Sequence, residues 1–532
     1  MTTAIDMGTG FVFWKVSRRG WRATVAGLAA GLLVAACGGG GGDSVPTAAQ
    51  LAAGCAALSG KTFAAAAVGS AIRVEADAAK GTPGYCQVKA NRAPFLDIEV
   101  DLPDNWSGRF YQQGGGGFDG SVPTVVHSTL GLHPALAKHG AVYAASNGGN
   151  RSNVPAEAAP GVWSTNAASA TDYAYQAVGT TLKFGKAVTA AFYGKAPTYS
   201  YFSGCSNGGR NAYIAAQRWP TEYDGIVSGC ETMDMAGQTA AWLRMAKITG
   251  TPAMPSTAQW SAAYRAAVAA CDTLDGVADG VIANQAACTF DPASLTCGQP
   301  TASENQAICL TPEQTQTVKS VVSDIKLANG STVYSRYSWA DFGAGLGPTT
   351  QWVLGGGFAQ LATNNKAWFV PSGTPGSLQT TFDVDRDYNV IGNGLQQIGA
   401  DHDKAAVAAY VASGRKLISW HGSADEGLSI NEHLRNYATM MGAAGTTANS
   451  RFFVVPGAKH GAGGQMQEVD WLAALSTWVE KGGAPVELTY NKLAPGSTTV
   501  VRSMPVCEHP KYPRYKGVGD VNAATSYTCV AP

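Results

Sequence analysis

Residues 198–210 read TYSYFSGCSNGGR. The aromatic run 198–204 has the composition of a short strand. RNAYIAAQRW (210–219) has helical spacing and stops at Pro220. Ser206 sits between them, with Gly204, Gly208 and Gly209 around it. The stretch fits G-x-S-x-G, a pattern that carries little alone in a chain with 65 glycines. Its setting adds weight. A serine on a tight strand-to-helix turn needs neighbours without side-chain bulk, and a helix N-terminus favours developing negative charge. Either Ser206 is a nucleophile on such an elbow, or it belongs to an ordinary glycine-rich loop.

Outward from this stretch the chain alternates. Residues 95–103 and 109–113 read as neighbouring strands joined by a turn through Asn105 and Gly108, and 141–149 as a third. Residues 171–193 read as a helix with Thr171 at its N-cap, and 223–230 as the next strand. This rhythm predicts a largely parallel sheet. It breaks over 232–405, where one helix is clear, 311–325, with Thr311 as cap and Pro312 in its first turn. It returns with a helix at 404–414, strands at 416–425 and 451–464 (the latter running into a loop), and an amphipathic helix at 469–482. The economical reading is an α/β sheet, first part 38–231 and second part 406–532, interrupted by an inserted lid, 232–405. Open α/β sheets bind ligands above the carboxyl ends of their strands, and the lid is expected there.

A serine needs a base, and the base needs a carboxylate to fix its tautomer. His460 follows the apolar strand FFVVPG in a glycine-rich loop; His421, also just past a strand, is the second choice. Asp425 ends ISWHGSAD, with Glu426 ranked after it for its longer reach. The order Ser206, Asp425, His460 is that of α/β-hydrolases. GGGG (114–117) after an early strand lets backbone N–H groups approach an oxyanion, and Asn207, after the serine, supplies another.

Lys+Arg and Asp+Glu number 37 each, so nothing marks a polyanion partner, and nucleic acid is not expected. At the N-terminus, Lys15, Arg18, Arg19 and Arg22 precede an apolar stretch too short to span a bilayer comfortably, ending in LVAAC. Residues 1–37 read as a signal peptide with a lipobox-like end, which makes Cys37 a lipid anchor; a plain signal peptide cut nearby is the alternative. Arg18-Arg19 only weakly matches a twin-arginine signal. The chain is expected to be exported: an outer-membrane lipoprotein, periplasmic or secreted. Ten further cysteines suit disulfides in such a chain. Sequence neighbours suggest Cys55–Cys86, Cys271–Cys288, Cys297–Cys309 and Cys507–Cys529, leaving Cys205 and Cys230.

CDTLDGVADGV places Asp272, Asp275 and Asp279 within eight residues. Oxygen ligands this dense suit Ca²⁺, with the carbonyls of Val277 and Val281 completing the shell, though the spacing is not that of an EF-hand. A solvated acidic turn is the alternative. An ion here would be structural.

GGGGFDG, GCSNGGR, AAQRWPTEYDGIVSG, CDTLDGVADGV, HGSAD and PGAKHGAGG, in this order, resemble the tannase and feruloyl esterase family, which takes in mono-hydroxyethyl terephthalate hydrolase. The resemblance runs from about residue 50 to the C-terminus. It implies an α/β-hydrolase core with a large inserted lid domain, a triad of Ser206, Asp425 and His460, an oxyanion hole near Gly116 and Asn207, and calcium on Asp272, Asp275, Val277, Asp279 and Val281. It implies a serine carboxylesterase acting on feruloyl, galloyl, chlorogenic or terephthaloyl esters, with a small aromatic ester as partner. The chain is expected to be a monomer. A catalytically silent ligand-binding lipoprotein, or another acyl hydrolase such as a polyester-oligomer hydrolase or peptidase, remains open. One departure stands out. The family usually follows the catalytic histidine with a cysteine bridged to the one before the serine; here Gly461 occupies that place. A Cys205–Cys230 bridge is expected as the replacement. Lid aromatics, Tyr334, Tyr337, Trp339, Phe342, Trp352, Phe358, Trp368 and Phe369, either stack on a substrate ring or form lid core. The absence of arginine between Arg336 and Arg386 argues against a carboxylate clamp from that window.

Overall fold

Short runs of β-branched and aromatic residues become the strands of a mixed sheet. The computed structural model describes residues 47–79, 81–124, 133–151, 163–305, 307–342, 378–400, 402–461, 469–494 and 499–532. The signal-peptide and Cys37 readings lie outside these, as do Trp352, Phe358, Trp368 and Phe369.

The central strands are β1 (Leu96–Pro103), β2 (Arg109–Gln113), β3 (Val142–Ser146), β4 (Tyr199–Ser206), β5 (Gly225–Glu231), β6 (Lys416–Gly422) and β7 (Ser450–Val455). They lie in the order β1-β3-β2-β4-β5-β6-β7, parallel from β3 through β7. An antiparallel meander, Thr62–Phe63, Ala66–Val74 and Tyr85–Arg92, extends the sheet beyond β1, and Val500–Glu508 with Glu487–Leu493 extends it beyond β7. Near-continuous burial along β2, β4, β5 and β6 is what a parallel strand covered on both faces requires.

One expectation fails here. β1 and β2 are not neighbours: β3 lies between them, antiparallel to β1 and parallel to β2. The connecting loop is held across the gap. Ser107 N donates to the Gly140 carbonyl at 2.9 Å, and the Gly108 carbonyl accepts from Thr198 N at 2.8 Å, handing β2 to β4. A hairpin turn and this crossover look alike in sequence.

Helices α1 (Ala177–Tyr193), α2 (Asn207–Arg218), Lys404–Ala412 and α4 (Ile430–Ala444) share an apolar core on one face. Residues of α5 (Trp471–Lys481), among them Trp471, Leu475 and Trp478, fill the other. The helix expected from Thr171 starts earlier. Asn166 caps it, accepting from Ala168 N and Ser169 N at 3.0 and 3.2 Å, and Asp172–Gln176 form a π-helical turn before α1.

A further core packs Trp260, Val318, Ile325, Val333, Tyr334, Tyr337, Trp339, Ile391 and Leu395 with α3 (Met235–Ile248), and takes in Trp163, Tyr173 and Leu428 from outside 232–405. Thr311 caps its helix as expected, in a reciprocal box with Gln314. That helix ends at Val321, however, because the chain turns into a ribbon of Ile325–Lys326 against Thr332–Tyr334. Five disulfides form: the four between sequence neighbours, and Cys205–Cys230. Residues 47–532 make one compact unit. No helix among the described residues is long and apolar enough to cross a membrane.

Candidate active site

Strand β4 ends on Ser206 and α2 begins on Asn207, so the serine occupies the turn itself. Its φ of 62° and ψ of −125° lie in territory that side chains rarely adopt. The turn closes only because its flanks are bare. A Cβ on Gly204 would come within 2.4 Å of the Gly208 carbonyl, and one on Gly209 within 2.2 Å of the Gly229 oxygen. Ser206 therefore lies on an elbow and not in an ordinary loop. Beside it, β5 carries a bulge: Cys205 pairs with Gly229 and Ser206 with Glu231, leaving Cys230 as the extra residue, at φ 29°. The bulge turns Cys230 toward Cys205, and the two are bonded.

The loops after β6 and β7 bring the other two groups over the elbow. His460 Nε2 lies 3.0 Å from Ser206 Oγ, and His460 Nδ1 lies 3.0 and 2.9 Å from the two oxygens of Asp425. Asp425 Oδ1 also accepts from Gly427 N and Leu428 N, both at 2.9 Å. Burial alone would raise the Asp425 carboxyl. The charge of His460 and the hydrogen bonds from His421 and His460 outweigh it and hold the group below the usual carboxylate range. Burial likewise works to lower His460, but the Asp425 carboxylate prevails and raises it above the ordinary imidazole value.

His421, the second choice for the base, is fully buried behind Asp425, 3.3 Å from Oδ2, and does not meet Ser206. Glu426 is buried beside the triad; its Oε2 has no hydrogen-bond partner and it does not hold a His460 ring nitrogen.

The glycine loop contributes more than bare backbone. Gly117 and Asn207 line the cavity at Ser206; Gly116, expected there, sits one residue behind and accepts from Asp119 N at 2.8 Å. Asn207 Nδ2 donates to Asp119, and Asn207 Oδ1 accepts from Arg210 Nε at 2.8 Å. Arg210 is wholly buried, donating onward to the Ala174 and Tyr173 carbonyls at 2.9 and 2.6 Å. Both lie in the π-helical turn, where the Ala177 N–H goes to the Asp172 carbonyl, so the Tyr173 oxygen lacks the donor a regular helix would give it. Burial pushes the Asp119 carboxyl to about 7, against the pull of Arg210 and Asn207. This Asp119–Asn207–Arg210 bridge went unread in the sequence, although both charged residues lie inside the quoted motifs. A charge in a motif reads as solvent-facing until the fold buries it.

Above the elbow, Phe118, Tyr173, Met235, Trp242 and Leu428 make an apolar cavity, with Thr232, Gln238 and Thr239 as its polar members. Of the described lid aromatics, Tyr334, Tyr337 and Trp339 are buried in lid core and do not line this cavity. Trp242 and Phe118 were not singled out, because neither lies in a stretch with a recognisable period. No arginine or lysine lines it among the described residues.

Cys230, Asp425 and His460 place ligand-type atoms within 4.8 Å of one another. With Cys230 in a disulfide they cannot hold a metal as a set. In the acidic loop, Asp272 accepts from Gly280 N at 3.0 Å and Asp275 Oδ1 from Val277 N at 3.1 Å. Asp279 accepts from Val281 N at 3.0 Å and is also taken by Arg502 and Tyr527, a pairing the sequence did not suggest. Asp275 Oδ2 is buried with no hydrogen-bond partner. Burial, with Asp279 and Asp272 nearby, pushes its carboxyl to about 7. An orphaned buried carboxylate oxygen among hard donors fits a calcium ion.

The profile of the tannase and feruloyl esterase family matches residues 80–530. Mono(2-hydroxyethyl) terephthalate hydrolase of Piscinibacter sakaiensis is 30% identical over 525 residues, covering 85% of this chain and 86% of that protein. A probable feruloyl esterase of Arthroderma benhamiae is 29% identical over 475 residues, covering 82% and 83%. The crystal structure of feruloyl esterase B from Aspergillus oryzae superposes with a TM-score of 0.76 at 25% identity, covering 90% of this chain and all of that one.

Proposed function

The chain belongs to the tannase and feruloyl esterase family and is a carboxylic ester hydrolase, and from that premise we propose that it cleaves esters of aromatic acids through an acyl-enzyme on Ser206. The observation that carries the reading is the 3.0 Å approach of His460 Nε2 to a serine oxygen held at positive φ, with Asp425 on the far ring nitrogen.

In this reading Ser206 Oγ attacks the ester carbonyl while His460 Nε2 takes its proton. Asp425, ionised, fixes the Nδ1–H tautomer and stabilises the imidazolium. The Asn207 N–H and the glycine loop receive the oxyanion, the Asp119–Asn207–Arg210 bridge holding the two walls together. His460 then protonates the departing alcohol, and a water activated by the same nitrogen releases the acid. Phe118, Tyr173 and Trp242 offer faces for an aromatic acyl ring. Calcium on Asp272, Asp275, Asp279 and the carbonyls of Val277 and Val281 supplies, when bound, charge neutralisation in the lid; no step of the reaction passes through it. Five disulfides agree with maturation in an oxidising compartment. The same reading has the exported chain anchored by lipid on Cys37 and acting as a monomer; intact mass of the mature chain and light scattering test these two points.

The main test is a panel of p-nitrophenyl, feruloyl, galloyl and terephthaloyl esters, with fluorophosphonate labelling of wild type and Ser206→Ala. The reading requires turnover of at least one aromatic acyl ester, with both turnover and labelling lost in the variant. Turnover surviving in Ser206→Ala refutes it.

A further inference from the structure

Behind Asp425, on the side away from His460, a buried column of polar side chains runs through the core. His421 and Ser419 come from β6, His433 from α4 and Tyr213 from α2, and all four are at most 1% exposed. The ester hydrolysis above uses none of them.

Their protons can be assigned by donor and acceptor accounting. His421 Nε2 lies 3.1 Å from the Leu428 carbonyl and 3.3 Å from Asp425 Oδ2. Both neighbours only accept, so Nε2 carries the hydrogen. His421 Nδ1 and His433 Nδ1 lie 3.0 Å apart, and one hydrogen must sit between them. His433 Nε2 lies 2.9 Å from the Tyr213 hydroxyl, which lies 2.9 Å from Ser419 Oγ. One neutral arrangement uses every group. Ser419 donates to Tyr213, Tyr213 to His433 Nε2, and His433 Nδ1–H to His421 Nδ1, while the His421 Nε2–H is shared between the Leu428 carbonyl and Asp425 Oδ2. The whole chain points at the triad carboxylate.

The surroundings suit that arrangement. The Glu231 carboxyl, 3.9 Å from His433 Nε2, is pushed by burial to about 8 and so is largely protonated at neutral pH. Burial and the His421 neighbour keep His433 well below the usual imidazole range, hence neutral. Phe452 and the His433 ring pack in an edge-to-face pair, their centroids 4.7 Å apart. The titratable groups facing the column are thus Asp425, with His460 beyond it, and the Glu231 carboxyl.

Asp425 Oδ1 has two backbone donors of its own, whereas Oδ2 has only the two histidines. We propose that His421 and His433 are positioning residues for the reaction: His421 Nε2–H holds the second oxygen of Asp425, and His433 fixes the tautomer that allows it. The carboxylate is then presented to His460 ionised and in one orientation. The proposal rests on the reading of Ser206, His460 and Asp425 as the reacting set.

The experiment compares His421→Leu with His421→Gln and His433→Leu with His433→Asn in the full chain, on p-nitrophenyl and feruloyl esters. Rates are normalised to active sites titrated by fluorophosphonate. A lost hydrogen bond to a charged group predicts a fall of about 10–100-fold in kcat for His421→Leu, with KM little changed. Losing that donor makes Asp425 more basic. It then holds the His460 proton harder, and the acid limb of kcat/KM moves to higher pH. Glutamine, whose amide N–H can reach Asp425, restores most of the rate and returns the limb. His433→Leu acts in the same direction but less, and asparagine, a donor at the Nδ1 position, repairs it. Equal losses in the leucine and glutamine variants overturn the proposal. So does a limb that stays in place while only melting temperature and titratable sites fall. Should the leucine variants not fold, histidine ¹⁵N spectra of the wild type decide: an Nε2–H tautomer at His421 supports the proposal, an Nδ1–H tautomer refutes it. Failure of the premise is separate, because Ser206→Ala would then still turn over whatever stands at 421.

Discussion

Asp425 and Asp275 are both wholly buried, and burial has opposite outcomes for them. Around Asp425, two backbone N–H groups and two histidines are already in place, and the carboxyl is held below its usual range. Around Asp275 there is one N–H, from Val277, and two more aspartates; its carboxyl is pushed to about 7. The cost of burying a carboxylate is set by which donors meet it more than by depth. The triad loop is complete around an anion. The acidic loop leaves one carboxylate oxygen buried without a hydrogen-bond partner.

The sharpest way to break that contrast is at Asp425 itself. Asp425→Asn keeps the shape but removes the anion, and kcat is expected to fall about 10⁴-fold; the amide also sets an N–H against the donors around it, so the melting temperature should fall as well. A steady-state assay showing a tenth of wild-type turnover would mean that the donors around Asp425 are not arranged for charge. Next is the bridge beneath the elbow. Cys230→Ala should free one thiol, at Cys205, detectable by maleimide mass mapping, and cost about 2–4 kcal/mol in denaturant titration. Finding Cys205 bonded elsewhere would remove the bulged strand from the account.

Chelation tests the other region. At a calcium concentration 100-fold above its Kd, the ion is worth about 2.7 kcal/mol, so a chelator should lower the melting temperature while turnover at 25 °C stays within about twofold. Asp275→Asn should abolish that response to added calcium. If turnover collapses before melting, the two loops are coupled and the contrast is false. The smallest effect is in the pH profile. His460 is raised above the ordinary imidazole value by Asp425. Its base form is therefore lost as pH falls through a value above about 6.5, and the acid limb of kcat/KM should lie there.

The elbow was legible because its geometry excludes most residues: only glycines clear the carbonyls at 204 and 209. The positions of Ser206, Asp425 and His460 were legible because each lies at the end of a strand or in the loop that follows one. The outer strands were not, since Ala66–Val74, Glu487–Leu493 and Val500–Glu508 are largely half exposed and without a sustained alternation. Neither was α4, whose single buried histidine reads in sequence as one polar residue among several. Arg210 and Asp119 were hidden for a related reason. Their charges meet only when the turn after Ser206 and the glycine loop come together in space. Adjacency across the sheet, as in the β1–β3–β2 order, is a property of the whole chain that local composition does not carry.

The π-helical turn at Asp172–Gln176 gives the chain a fixed residue count at that place. A wide turn of this kind behaves as one residue inserted into an α-helix. Deleting one residue there would let the helix close its ladder and retract the two oxygens on which Arg210 rests. Drift by substitution can cross this segment, while drift by shortening meets a stranded guanidinium. Related chains that keep the arginine should therefore differ here in letters more readily than in length.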